Sequence, residues 1–317
     1  MPIASGFEPS YLRLHASGEL HQRISDAWAM LAPCRLCPHE CGADRLHGQL
    51  GVCRMDDRCK VAAWNLHRWE EPPISGTRGS GAIFFSGCTG RCCFCQNFPV
   101  SQMRQGIDVG VERLAGMMLE MQRKGAHNIN LVTPTHFMPH VLAALPHAVH
   151  AGLRLPLVYN TSGYERVEAL RLLDGVIDIW LPDAKYAEDD IARRLSGWPR
   201  YVENNQLALR EIFRQVGDEL LLGEGGIALR GLIVRHLVLP GGLSGAPQVL
   251  RWLSGELSHR VHVSLMDQYF PAYRVLDDPV LGRRLSLNEY ELALEALESA
   301  GLEHGWTQAT GDWERSS

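Results

Sequence analysis

Ala82-Ile83-Phe84-Phe85-Ser86-Gly87-Cys88-Thr89-Gly90-Arg91-Cys92-Cys93-Phe94-Cys95 is the stretch from which the rest of the chain is read. Its first four residues are a short apolar run, the pattern of a buried parallel strand. The run leads into Cys-x3-Cys-x2-Cys, with an aromatic residue just before the last cysteine. Three thiolates on one short loop can hold three irons of a [4Fe–4S] cube, which needs four ligands and usually takes them from Cys. The local shortage of one ligand leaves one iron open to an exogenous chelator. A zinc knuckle or a set of unrelated thiols is the competing reading. A buried strand before the loop and a helix–strand chain after it argue against that alternative.

Outward from the loop, strands and helices alternate. Strands are expected at Ala82–Ser86, Asn128–Val132, Pro156–Tyr159, Val176–Leu181, Leu229–Leu239 and Val261–Leu265. Helices fill the gaps at Val111–Lys124, Met138–Ala151, Tyr164–Leu173, twice within 187–216 around Gly197-Trp198-Pro199, and at Gln248–Leu257. Six strands joined by helical crossovers imply a parallel sheet. The fold class is α/β: a partial (β/α)6 TIM barrel fits, with open doubly wound order as the structural alternative. In either, functional residues belong at the C-terminal strand ends. Upstream, residues 10–31 read as one amphipathic helix stopped by Pro33, residues 34–59 as a Cys- and Gly-rich segment, and residues 61–80 as a connector. Downstream, Leu287–Ala300 reads as a further amphipathic helix. The implied division is an N-terminal helix and Cys-rich extension over 1–78, a core over 79–275 and a helical tail over 276–317.

Composition narrows the class. The chain has 317 residues, 45 % hydrophobic and 21 % charged, as in an ordinary globular protein. A net charge of −5 with no basic block disfavours nucleic acid as the main partner. No apolar run approaches the roughly 18 residues needed to span a membrane, and the N-terminus lacks the two regions of a signal peptide. The expected compartment is the cytoplasm, where nine cysteines are better read as ligands or redox groups than as disulfides. Only three of the 31 basic residues are lysines, Lys60, Lys124 and Lys185. A lysine retained in an arginine-rich chain points to a need for a compact ammonium.

The cysteine loop resembles the signature of the radical S-adenosylmethionine (SAM) superfamily, and Gly81 to Asn97 resembles its branch similar to pyruvate formate-lyase activating enzyme. The resemblance implies that Cys88, Cys92 and Cys95 hold a [4Fe–4S] cluster whose open iron takes the amino and carboxylate groups of SAM. It implies reductive cleavage of SAM to a 5′-deoxyadenosyl radical that abstracts hydrogen, the cofactors carrying the chemistry and the protein the orientation and shielding. Thr133-Pro134-Thr135-His136 departs from the Gly-Gly-Glu stretch that many of these proteins carry after the second strand, and His136 is a candidate acid or ligand there. Asn160 and Ser162, after strand three, match a SAM-contacting segment. Asp183-Ala184-Lys185 resembles the Asp-x-Lys of activating enzymes, both side chains engaging SAM. Arg235 lies within an apolar strand, where a charge needs a partner. It is a candidate for the SAM carboxylate or for an internal salt bridge. Met266 to Tyr269 is a candidate lining for adenine or substrate.

Cys34-x2-Cys37-x3-Cys41-x11-Cys53 places four thiols close together in sequence. They predict a second metal, either zinc held by four thiolates or an auxiliary Fe–S cluster, which spacing does not separate. Cys59 and Cys93 read as structural. The resemblance implies a reductant such as flavodoxin or ferredoxin as partner, and a protein as the possible substrate. Radical modification of a small molecule and a non-catalytic Fe–S or zinc interaction protein are the alternatives.

Overall fold

In the computed structural model, which describes residues 6–307, ten strands form one sheet. In chain order they are β1 (Lys60–His67), β2 (Ser80–Phe85), β3 (Ile107–Asp108), β4 (Ile129–Val132), β5 (Leu157–Thr161), β6 (Ile179–Pro182), β7 (Leu221–Leu222), β8 (Ala228–Leu237), β9 (His262–Met266) and β10 (His304–Thr307). The spatial order is β10-β9-β8-β6-β5-β4-β2-β1-β3, with β7 beside β8. From β2 through β4, β5, β6, β8, β9 to β10 every neighbouring pair is parallel. Along this parallel run, strands adjacent in space follow one another along the chain and the order never reverses. This is the winding of an opened barrel, because a doubly wound sheet reverses at a switch point.

The helices are α1 (Tyr11–Ser17), α2 (Glu19–Ala29), α3 (Pro72–Ser75), α4 (Phe98–Ser101), α5 (Val111–Arg123), α6 (Met138–His150), α7 (Val167–Leu172), α8 (Asp189–Ser196), α9 (Tyr201–Val216), α10 (Ala246–Glu256) and α11 (Leu287–Ser299). Alternation along the strands separates two apolar layers. Leu157, Tyr159, Trp180, Leu232, Val234 and Leu265 join the main core with α5, α6 and α10. Val158, Ile179, Leu181 and Ile233 join a second cluster on the opposite face. A third cluster, rich in Tyr and Trp, gathers beside the cysteine loop.

Four expectations change. The helix expected over 10–31 is two helices, because Gly18 adopts a φ of 81° between them and caps the first; glycine takes that conformation at no steric cost. The connector expected over 61–80 contains β1, antiparallel to β2 with Trp64 opposite Ile83. The tail carries β10 as well as α11, so the parallel run has one strand more than six. Helix α7 begins only at Val167, since the preceding residues form the turn that comes after β5. Residues 1–5 and 308–317, the outer ends of the expected N-terminal extension and tail, lie outside the described residues. Among the described residues no helix is long and apolar enough to cross a membrane.

Candidate active site

The cysteine loop leaves the C-terminal end of β2, the barrel end at which parallel α/β folds collect functional residues. Neighbouring segments fix its backbone. His136 Nε2 lies 2.7 Å from the Ser86 carbonyl, and His39 Nε2 lies 2.8 Å from that of Thr89. The Arg91 N–H donates to the Ser196 carbonyl at 2.7 Å and the Cys93 N–H to that of Leu195 at 2.8 Å. Gly90 is needed sterically: a Cβ there would come within 2.3 Å of the buried Trp198 ring. Trp198 in turn stacks on Tyr201 and Tyr164 at centroid distances of 5.2 and 5.6 Å.

Each of the three sulfurs has a hydrogen-bond partner. The Gly90 N–H reaches Cys88 Sγ at 3.3 Å, and Ser196 Oγ donates to Cys92 Sγ at 3.0 Å. Ser101 Oγ lies 3.2 Å from Cys95 Sγ. Burial pushes the Cys88 thiol up, and the neighbouring Cys92 and Cys95 push it further. Burial likewise pushes Cys92 up to about 12, against the pull of Lys185. The sulfurs are therefore near enough to feel one another and one ammonium. Left alone, Cys88 and Cys92 keep their protons, which an iron displaces on binding. Among the described residues no three His, Cys, Asp or Glu side chains converge tightly enough to grip a single metal ion. A cube takes its thiolates on separate irons, and for that group the donor set of the loop fits.

At the ends of β6 and β8 a chain of charges runs into the barrel. Lys185 Nζ lies 2.5 Å from Asp183 Oδ2, and Arg235 Nε donates to Asp183 Oδ1 at 3.0 Å. Arg235 Nη2 donates to Asn160 Oδ1 at 2.6 Å, and its Nη1 lies 3.6 Å from Glu70 Oε2. Asn130 Nδ2 closes the chain on Glu70 Oε1 at 3.2 Å. Burial pushes the Asp183 carboxyl up, but Arg235 and Lys185 overrule it and hold it below the ordinary range. Burial raises Glu70 and Glu71, and Arg235 pulls both back. Asn205 Nδ2 donates to the Asp183 carbonyl at 2.8 Å and Tyr201 Oη accepts the Lys185 N–H at 3.0 Å, so α9 sets the backbone of this segment.

The structure thus brings Asn160, Asp183, Lys185 and Arg235 together, near enough for the Lys185 charge to act on Cys88 and Cys92. Arg235 is held by internal carboxylates rather than left open for an incoming one, and Glu70 is the partner that the strand required. Ser162 contributes its carbonyl, which accepts from Tyr201 Oη at 3.0 Å. His136 is buried against Phe137, and burial pushes its imidazole down to about 3. It is neutral and its observed bond goes to the loop backbone. Tyr269 is buried against Phe94, its hydroxyl on the Leu281 carbonyl at 2.6 Å. Sequence reading missed Glu70 and Glu71, which sit in a stretch taken as connector. Two adjacent carboxylates before a Pro-Pro pair gave no sign of pointing inward.

The N-terminal cysteines lie against this site. A Cβ on Gly51 would come 3.3 Å from both Cys41 Sγ and Cys53 Sγ, and Cys37 feels both Cys53 and Cys34. The fully buried Arg45 donates to the Asp56 carbonyl at 2.6 Å, with Nη1 4.0 Å from Cys34 Sγ. A single ion such as zinc, one of the two forms of the second metal expected from Cys34, Cys37, Cys41 and Cys53, has no support in this arrangement, since among the described residues no three such side chains are set to hold one ion.

No protein-family model matches the chain. The uncharacterized protein MJ0674 of Methanocaldococcus jannaschii is 30 % identical over 297 residues, which cover 90 % of this chain and 80 % of that protein. Among solved structures, HydG, a maturase of the [FeFe]-hydrogenase, is similar at a TM-score of 0.47 and 11 % identity. The match covers 69 % of this chain and 48 % of HydG, so the chain spans about half of that protein's length. A domain of pyruvate-formate lyase-activating enzyme from Bacteroides vulgatus is similar at a TM-score of 0.41 and 14 % identity, over 58 % of this chain and all of that one, 100 %.

Proposed function

The chain belongs to the family of the uncharacterized protein MJ0674, and from the geometry of its cysteine loop and charge chain we propose that it is a radical SAM enzyme. The observation that carries this reading is the Cys88-x3-Cys92-x2-Cys95 loop at the C-terminal end of β2, with the Asp183–Lys185 ion pair at the end of β6 near enough for the Lys185 charge to act on two of its sulfurs. Cys88, Cys92 and Cys95 would hold a [4Fe–4S] cluster; Lys185 and Asp183 would meet the carboxylate and amino groups of SAM. When bound, the cluster supplies one electron and SAM the sulfonium whose C–S bond that electron breaks, releasing methionine and a 5′-deoxyadenosyl radical that abstracts hydrogen. The protein's own task is to hold and shield. Asp183, clamped from below by Arg235, fixes the height of the Lys185 ammonium. The aromatic cluster of Tyr164, Trp198 and Tyr201 keeps water from one flank of the loop.

We take the hydrogen donor to be a protein or peptide segment and the electron donor to be a flavodoxin or ferredoxin. In support, the segment after β9 leaves Phe270, Leu276 and Val280 exposed while hydrogen-bonding the loop through Arg274 N–H to the Cys93 carbonyl at 2.9 Å. The test is anaerobic reconstitution with iron and sulfide, reduction with dithionite, and mass spectrometry for 5′-deoxyadenosine and methionine. Both products are expected from the native chain and neither from the triple variant with Cys88, Cys92 and Cys95 replaced by Ala. A native chain that takes up the cluster and leaves SAM intact would falsify the reading.

A further inference from the structure

The C-terminal end of α8 does more than finish a helix. The carbonyls of its last two residues, Leu195 and Ser196, accept the Cys93 and Arg91 N–H groups of the cysteine loop. Ser196 is fully buried, and its Oγ donates to Cys92 Sγ at 3.0 Å. The same Oγ lies 2.6 Å from Tyr186 Oη. A sulfur ligating iron only accepts. With the Ser196 proton committed to Cys92, the Tyr186 hydroxyl must donate to Ser196 Oγ. The two hydroxyls form a relay aimed at one sulfur. Tyr186 is itself buried, 2 % exposed, so water does not compete for either bond. Tyr186 is also the next residue after Lys185, so its position is tied to the segment assigned to SAM.

Hydrogen bonds to cluster sulfurs, together with burial, set the reduction potential of an Fe–S centre. A donor stabilises the extra negative charge of the reduced state and raises the potential. A second donor behind the first polarises it and adds to the effect. We propose that the Tyr186–Ser196 hydroxyl relay holds the potential of the cluster up through Cys92. This inference rests on the assignment of Cys92 as a cluster ligand. Ser196 and Tyr186 are positioning residues in it, acting through Cys92 and touching neither substrate nor iron.

The experiment uses the full chain, reconstituted anaerobically, with a redox titration followed by electron paramagnetic resonance and with iron and sulfide measured per chain. Ser196→Ala is expected to keep its iron and shift the midpoint to a more negative value, lowering the reduced-to-oxidised ratio at a fixed poise by about threefold to tenfold, a tenfold change being 59 mV for one electron. Tyr186→Phe is expected to shift it in the same direction by less. In the double variant the Tyr186→Phe effect should vanish, because the relay has lost the hydroxyl it acts through. An unshifted midpoint in iron-replete Ser196→Ala overturns the inference. So does a Tyr186→Phe shift that persists unchanged in the Ser196→Ala background. If Ser196→Ala takes up no cluster, Tyr186→Phe decides alone, and its native midpoint refutes the relay. A native chain that takes up no cluster overturns the radical SAM reading and this inference with it, whereas an intact cluster with an unmoved potential overturns only the relay.

Discussion

Asp183 serves two cations with one carboxylate: Lys185 on Oδ2 and Arg235 on Oδ1. The two are not equivalent. Arg235 remains bonded to Asn160 and near Glu70 if Lys185 is lost, and Asp183 then still has a partner. Lys185→Met is therefore expected to leave the fold in place and to weaken SAM binding by roughly tenfold to a hundredfold, measured by equilibrium dialysis. Asp183→Asn leaves a buried guanidinium short of its best partner. Breaking a buried pair from one side costs on the order of 3–5 kcal/mol, so this variant should lose stability in urea as well as SAM affinity. Equal urea midpoints for the two variants would show that the Asp183–Arg235 pair adds no stability of its own.

At the scale of elements, Asp178 ties α1 to the sheet. It is fully buried just before β6, and its two oxygens accept the Ser10 N–H at 2.9 Å and the Leu157 N–H at 3.2 Å. Burial outweighs those bonds and pushes its carboxyl up from the ordinary 3.8 to about 6. The folded protein thus holds this proton more tightly than the unfolded chain does. The contribution to stability is full below pH 3.8 and is lost as pH rises through about 6. Asp178→Asn cannot ionise and lacks that loss. The stability of the variant relative to the native chain should rise by about 2 kcal/mol between pH 4 and pH 6, whatever the offset from its altered hydrogen bonds. Urea denaturation of both chains across that window measures it; a constant difference would place the folded carboxyl near its ordinary value.

At the scale of the molecule, the N-terminal segment and the barrel share one site. Strand β1 extends the sheet beyond β2, Glu70 reaches Arg235 inside it, and His39 bonds the cysteine loop. The Met55 side chain lies where a Cβ on Gly87 would fall, within 2.7 Å. A chain trimmed to begin at residue 79 would bare the edge of β2 and leave Arg235 without Glu70. It is expected to be insoluble or to lack a cooperative thermal transition by circular dichroism, although it keeps all three loop cysteines. A trimmed chain that melts cooperatively would make the first 78 residues a separable unit.

The parallel run and the cysteine loop were legible in the sequence because each is encoded in a short window. Apolar runs alternating with amphipathic helical stretches admit little besides crossover-linked strands, and three cysteines within eight residues are close in any fold. Gly18 carried a local sign of the helix break that reading over 10–31 passed over. Strand β1 was hidden because Pro, Gly and charge come closely after it, and only its ladder with β2 declares it. The rest was decided by tertiary structure. Arg235 announced that it needed a partner, but Glu70 is 165 residues away in sequence. Ser196 and Tyr186 are ordinary residues until the end of α8 closes on Cys92, 104 residues earlier than Ser196. Spacing along the chain fixes which groups one loop can present. The choice among distant partners depends on how the opened barrel curves its strand ends together, and that curvature belongs to the packed sheet as a whole.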